Sequence, residues 1–348
     1  MLLTSIVSGL ATGFVGGYAL QRGGFCMHSA FRSIAFEKDH GILRTWLLIL
    51  AINIPALLLL EQLGIVFPAR APFTVVAGLI GGLVFGSGMV LAGGCVSGTY
   101  YRAAKGMTGS LVALLGFAAG GLMVTGGVLQ PVRAWAIRHE IPIAGEEASL
   151  YNLPGAFEPG FFPGFGFRWI VAGTLVLLIG VFLIRSPKSS FTIGWPWWLT
   201  GIVLGVVTIS AWYFSSLEYR DYGLSIVQPT NAISRWLLIG DGSGFNWASW
   251  FLIGLVPGAF VAAWRGGDLA LRVPSAGRLL QNLTGGVLMG WGASLAGGCN
   301  IGHGVTGVSV LSIGSIWATV TTIGGAWLAT AVVFRVTRPA APEDGATT

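Results

Sequence analysis

The sequence predicts an all-α integral membrane protein: about nine transmembrane helices in two inverted-repeat halves, with broken or re-entrant Gly-rich segments. Three observations carry this. The 348 residues are 54% hydrophobic and 9% charged, with a mean hydropathy of +0.77, whereas a soluble domain carries about 25% charged residues. Apolar runs reach the ~20 residues that a bilayer crossing requires. The stretch 81–95, which closes on Leu91-Ala92-Gly93-Gly94-Cys95, returns without a gap at an offset of 204 residues, closing on Leu295-Ala296-Gly297-Gly298-Cys299.

In chain order, the spans are expected near 2–20, 43–61, 73–92, 108–130, 168–185, 196–215, 247–264, 279–297 and 310–334. The first differs from a cleaved leader: no basic region precedes it, and positive charge follows it at Arg22, Arg32 and Lys38. The third and eighth end in the repeated Gly-Gly-Cys. With the N-terminus outside, the segments 21–44, 97–107, 185–195 and 265–278 and the tail from Arg335 face the cytoplasm and hold 13 of the 19 Lys and Arg residues. Arg70, Arg133, Arg138, Arg168, Arg220 and Arg235 face the other way, so the positive-inside rule gives N-out, C-in. These loops account for the net charge of +6, and no nucleic-acid partner is expected.

The spans divide as four, one and four. Residues 1–130 form the first half, 131–195 an outer loop plus the linker span, 196–335 the second half, and 336–348 a disordered cytoplasmic tail. The outer loop is rich in Pro, Gly and Phe and carries Glu140, Glu146, Glu147 and Glu158. An odd linker span makes the halves enter the bilayer in opposite senses, as in inverted-repeat transport proteins, whose substrates sit at the repeat interface. Cys95 then lies at the cytoplasmic end of its span and Cys299 at the outer end of its own. A fainter match sets Gly24-Phe25-Cys26 against Gly223-Leu224-Ser225 and pairs Ser225 with Cys26.

Glycine, 55 residues in all, recurs at four-residue spacing, for example at Gly78, Gly82 and Gly86 and at Gly286 and Gly290. Most of these suit close helix packing. The pairs Gly93-Gly94 and Gly297-Gly298 stand instead at helix ends, where consecutive glycines permit unwinding and a left-handed turn. Backbone N–H groups exposed there form an anion site that needs no buried Lys or Arg.

Three cysteines stand near span ends, none in a CxxC, and a disulfide framework cannot pair all three. Each can be a small buried hydrophobe. Cys26, His28, Cys95, Cys299 and His303 can also be read as a soft-metal set, but no segment has metal-ligand spacing. A nucleophile–His–acid arrangement lacks an intramembrane acid. Glu61 reads as interfacial, and His28 and His40 as solvated loop residues. Asn300 is a donor to opened backbone or an anion, and His303 is either polar glue or a substrate contact. Trp195, Trp197 and Trp198 resemble an aromatic belt at the lipid interface.

On Gly24-Phe25-Cys26 and the two Leu-Ala-Gly-Gly-Cys segments, the chain resembles the YeeE/YedE family of sulfur-compound transporters, over nearly its whole length. The resemblance implies thiosulfate uptake across the inner membrane along a narrow path on which Cys26, Cys95 and Cys299 contact the substrate in turn. It also implies a small cytoplasmic TusA-like sulfurtransferase that receives the delivered sulfur. Gly24, Gly93, Gly94, Gly297, Gly298, Ser225, Asn300 and His303 complete the expected substrate site, with no catalytic residue, metal or cofactor. Thiosulfate is a dianion with a soft terminal sulfur. A thiolate would repel it, whereas a neutral thiol offers a weak donor and a polarizable sulfur. Weak repeated contacts suit conduction, since a site must release what it binds. Two alternatives remain: a membrane sulfurtransferase working through a Cys persulfide, which needs a cation beside its thiol, and a soft-metal permease, which should carry Met clusters or buried carboxylates.

Overall fold

The computed structural model describes residues 2–36, 39–141, 149–150, 165–186 and 194–337. The nine expected spans appear as nine long helices: α1 (Leu2–Gly23), α3 (Gly41–Gln62), α4 (Val75–Ala92), α6 (Thr108–Thr125), α8 (Phe165–Arg185), α9 (Trp197–Ser216), α11 (Trp247–Arg265), α12 (Ala276–Ala296) and α13 (Ile313–Thr337). Eight helical segments among the described residues have the length and apolarity to cross a membrane. α12 has the length at 21 residues, but Arg278, Gln281 and Asn282 lower its apolarity.

Short elements fill the gaps. They are α2 (Met27–Ala35), α5 (Val96–Ala104), α7 (Gln130–Ile137), α10 (Val227–Ile239) and a π-helix, π1 (Asn300–Gly307). At ~1.5 Å per residue none of these crosses a bilayer alone. α2, α5 and π1 each follow a long helix after a three-residue turn, and α10 follows α9 after the longer segment 217–226, so four long helices are each followed by a short one. Three of the turns use a left-handed glycine: Gly24 (φ 57°), Gly93 (φ 76°) and Gly297 (φ 86°). The fourth, after α9, uses Tyr219 at φ 56°.

Long helices pack across the sequence rather than with their neighbours. α1 lies on α11 and α3 on α9; α6 lies on α12 and α4 on α13; α4 and α12 cross at the centre. The central crossing is reciprocal. A Cβ on Gly81 would stand 2.7 Å from the Gly292 carbonyl oxygen, and one on Gly88 2.8 Å from that of Gly285. Gly81 and Gly88 correspond to Gly285 and Gly292 at the 204-residue offset, so the repeated glycines are each other's contact surface. Hydrophobicity gives no preference between helix and lipid here, and such close approach is what small residues contribute.

The two ends of the bundle sort the basic residues. At one end, Trp195 N–H donates to the Arg22 carbonyl at 2.9 Å, and the segments of Lys105 and Arg272 pair through Ala270 N–H to Lys105 O at 3.2 Å. At the other, Glu61 binds Arg70 at 2.8 Å and Arg168 at 3.2 Å. The interfacial Glu61 is thus a clamp between α3 and the start of α8. His28 corrects an expectation: it is only 7% exposed. The segment after Cys26 does not run into solvent but forms α2, which folds back against α3 and α13. The outer-loop residues Glu146, Glu147 and Glu158 and the tail beyond 337 lie outside the described residues.

Candidate functional site

In the first half, the left-handed Gly93 stops α4 and reverses the chain, which sets Cys95 as the N-cap of α5. Cys26 caps α2 in the same way. The two turns meet: the sulfurs are 3.4 Å apart, and Cys95 N–H donates to Cys26 Sγ at 3.3 Å. Cys95 Sγ accepts from Gly98 N–H at 3.4 Å and lies 3.3 Å from Ser97 Oγ.

Arg102, two turns along α5, folds back over this pair. Its Nη1 donates to Gly93 O at 2.7 Å and its Nε to Gly98 O at 2.9 Å. Nη2 is buried and has no hydrogen-bond partner among the described residues. A Cβ on Gly98 would stand 3.0 Å from Cys26 Sγ, 3.1 Å from Arg102 Nη2 and 3.4 Å from Cys95 Sγ. The missing side chain therefore lets two sulfurs and an unspent guanidinium donor converge on one closely packed point, a donor set of the kind that suits a small anion with a soft end.

In the second half, the left-handed Gly297 stops α12, and Cys299 is the N-cap of π1. The backbone N–H groups of Ile226, Ile301 and Gly302 lie around its sulfur. The residue folded over this turn is His303, whose ring lies 2.9 Å from where a Gly298 Cβ would stand. Its Nε2 faces Ala296 O at 3.0 Å and its Nδ1 faces Ser315 Oγ at 3.1 Å, so both ring nitrogens are engaged. Asn300 Nδ2 points to Met89 Sδ at 2.9 Å, which ties the turn to α4. Further bonds hold π1: Trp46 Nε1 to Gly304 O at 2.7 Å and Tyr222 Oη to Gly302 O at 2.8 Å.

Above this turn opens a cavity of about 420 Å³ lined by Ser225, Gly297, Tyr222, Asn231, Ser294, Arg133 and Arg235. Arg133 Nε reaches Ser294 O at 3.3 Å. Arg235 pairs with Asp241, whose carboxyl is drawn down to about 2 by hydrogen bonds from Ser243 and by Arg235. Arg235 is thereby compensated at neutral pH. An apolar void of about 20 Å³ is lined by residues of α1, α3, α9 and α11 and by Phe25, next to Cys26, and Ile226 and Ile301, near Cys299. That is near the room a single water needs.

The structure thus brings Cys26, Gly94 and Cys95 into one cluster, puts Ser225 and Gly297 on a cavity wall, and gathers Gly298, Cys299, Asn300 and His303 in a second turn. Gly24 serves as the hinge before Cys26. Ser225 stands one residue before the N-cap of α10, which is Ile226, so the match to Cys26 is off by one in position. Arg102 was missed, although its seven-residue spacing from Cys95 puts both on one helix face. No cation stands within a few residues of Cys95 or Cys299 in the sequence; the winding of α5 is what brings Arg102 to the Cys26–Cys95 pair. Arg133 and Arg220 were also missed. Arg220 Nη1 donates to Tyr222 O at 2.6 Å and Gly223 O at 2.8 Å and so organises the turn after α9. Among the described residues no three His, Cys, Asp or Glu side chains converge.

Comparison with known proteins adds a family and named relatives. A family model described as sulphur transport matches residues 22–328. A protein named thiosulfate transporter TsuA from Spirochaeta thermophila is 35% identical over 336 residues, 95% of this chain and 99% of that protein. One of the same name from Escherichia coli is 30% identical over 350 residues, 96% of each. A probable transporter YedE, also from Escherichia coli, matches at 35% over only 77 residues, 22% of this chain and 19% of its own.

Proposed function

The chain belongs to the sulphur-transport family, and from that premise we propose that this sulfur-compound transporter takes up thiosulfate, or a closely related sulfur-containing anion, across the inner membrane. The observation that carries the reading is the cluster at Gly98, where two thiols and an unengaged guanidinium nitrogen converge.

The halves are read as 1–130 and 196–335, joined by α8 and related by a pseudo-twofold axis through the α4–α12 crossing. The reciprocal Gly81–Gly292 and Gly88–Gly285 contacts support this, since a twofold contact pairs i with j and j with i. With the N-terminus outside, the cavity at Ser225 opens outward and the Cys26–Cys95 cluster lies toward the cytoplasm.

The anion collects in the outer cavity, where Arg133, Ser225 and Tyr222 replace part of its hydration. It then meets Cys299 and the N–H groups of Ile226, Ile301 and Gly302, crosses the apolar constriction, and is received by Cys95, Cys26 and Arg102. The thiols act as neutral donors and soft contacts, and no covalent bond forms in transit. His303, with both ring nitrogens engaged, and Asn300, through Nδ2 on Met89, keep the outer turn in shape. Delivery is to a small cytoplasmic sulfurtransferase of the TusA-like kind. The persulfide alternative gains one supporting observation, the cation beside Cys26 and Cys95, so the test must separate it.

That test is uptake of labelled thiosulfate into liposomes holding this protein alone. Transport delivers intact thiosulfate to the lumen, while sulfurtransfer leaves sulfite outside and sulfur on the protein. Excess sulfate should compete poorly: losing the soft-sulfur contacts costs on the order of 1–3 kcal/mol, roughly 10- to 200-fold. Equal competition by sulfate would assign selection to backbone N–H groups alone. A reporter after Arg338 should read cytoplasmic and one near Glu146 external; the reverse at both would invert the pathway.

A further inference from the structure

We infer that Cys26 and Cys95 are a reversible oxidation site for polythionates, anions in which divalent sulfur links two sulfonate ends, and that the resulting disulfide shuts the pathway. The inference rests on the transport reading for access, since the sulfurs are 5% and 1% exposed and an anion reaches them along that path.

The geometry is that of a poised dithiol. The sulfurs are 3.4 Å apart, and a disulfide needs ~2.05 Å, so they must close by little more than 1 Å. Cys95 directly follows Gly93-Gly94 and Cys26 stands two residues after the left-handed Gly24, so each lies at a glycine turn, where backbone adjustment is easiest. The bond from Cys95 N–H to Cys26 Sγ, 3.3 Å, already holds the two backbones together. Cys299 faces the backbone of Ile226, at the place where the first half has its second thiol. The selective product is therefore the Cys26–Cys95 link.

The oxidant class follows from the site. Tetrathionate is two thiosulfates joined by an S–S bond, with the same sulfonate ends that the transport reading assigns to the cavity and to Arg102. One thiol of the pair, losing its proton to solvent, attacks a central sulfur. The central S–S bond breaks, thiosulfate leaves with the electron pair, and the cysteine carries an S–S–sulfonate adduct. The second thiol, losing its proton, attacks the first cysteine's sulfur and expels a second thiosulfate. Two thiols are oxidised by two electrons and one tetrathionate is reduced to two thiosulfates. Arg102 Nη2, the unengaged donor that converges on the same point as both sulfurs, is placed to stabilise the departing anion. The disulfide removes both S–H donors and draws the starts of α2 and α5 together over Gly98.

The experiment treats the purified full chain in detergent with tetrathionate, then unfolds, alkylates and maps it by mass spectrometry. The expected result is a Cys26–Cys95 linkage, loss of two hydrogens, two thiosulfates released per chain, and an alkylated Cys299. In liposomes, thiosulfate uptake should fall to background and return with dithiothreitol. An apolar oxidant, 4,4′-dithiodipyridine, runs in parallel. A linkage with the apolar reagent only would overturn polythionates as the substrate class. No linkage with either, or a stable adduct on Cys299 alone, would overturn the site. If the linkage forms but untreated liposomes take up no thiosulfate, the transport reading falls and the oxidation site stands; uptake without linkage is the reverse.

Discussion

The turns at Gly93-Gly94-Cys95 and Gly297-Gly298-Cys299 begin from the same five residues and end as different devices. Both stop a long helix with a left-handed glycine and make the cysteine an N-cap. Both lay a nitrogen-bearing side chain over the second glycine. In the first half that side chain is Arg102, which spends two of its nitrogens on carbonyls and keeps one unengaged. In the second it is His303, with both nitrogens engaged. The first turn leads into an α-helix and meets a second thiol; the second leads into a π-helix and meets Ile226. A repeat therefore preserves the backbone device while the chemistry diverges: on the proposed path the turn at Cys299 admits the anion and the turn at Cys95 receives it. A pathway that moves an anion one way gains from such unequal ends.

The sharpest test of this contrast removes the sulfurs. Ala at Cys95, Cys26 or Cys299 should each lower thiosulfate uptake by roughly 10- to 200-fold, the range for losing a desolvated contact. Ser keeps a donor and should retain partial uptake. If Ser is as inactive as Ala at every position, transit is covalent.

Next come the overlying side chains. Arg102→Met should raise the apparent KM for thiosulfate by on the order of 10-fold or more, with Arg102→Lys between it and wild type because charge returns without the planar fork. His303→Phe should leave that KM unchanged and lower thermal stability by about 1–3 kcal/mol through lost buried hydrogen bonds. A matching KM rise for both would make the two turns functionally equal.

Smaller effects probe the shared frame. Gly81→Ala and Gly285→Ala should each cost about 1–3 kcal/mol by overpacking the α4–α12 crossing, read by thermal unfolding in detergent. Unequal losses would count against the pseudo-twofold axis. Last, Gly93→Ala and Gly297→Ala should each cost about 1–2 kcal/mol for a left-handed backbone with a Cβ. A neutral result would mean the turn relaxes without its glycine.

Much of the fold was legible because hydrophobic length is a local property. Each long helix lies within a few residues of its expected span, including α12, the least apolar of them, expected near 279–297. The short helices were not legible. α2 carries Arg32 in nine residues that read as loop, and its helix forms because tertiary packing buries Met27, Ala30 and Phe31. The candidate thiols were found by their shared glycine context; Arg102 was not, since only helical winding of α5 returns it to Gly94.

The sequence by itself determined the membrane-spanning class, the offset repeat and the glycine turns, because hydropathy, small size and left-handed φ are properties of single residues and short runs. Tertiary structure alone decided which thiols meet, which turn holds a guanidinium and which an imidazole, and that the repeated glycines are one another's contacts. Those outcomes depend on where four long helices end in space, and sulfur contact at 3.4 Å between residues 69 apart in the chain is set by the packing of whole elements.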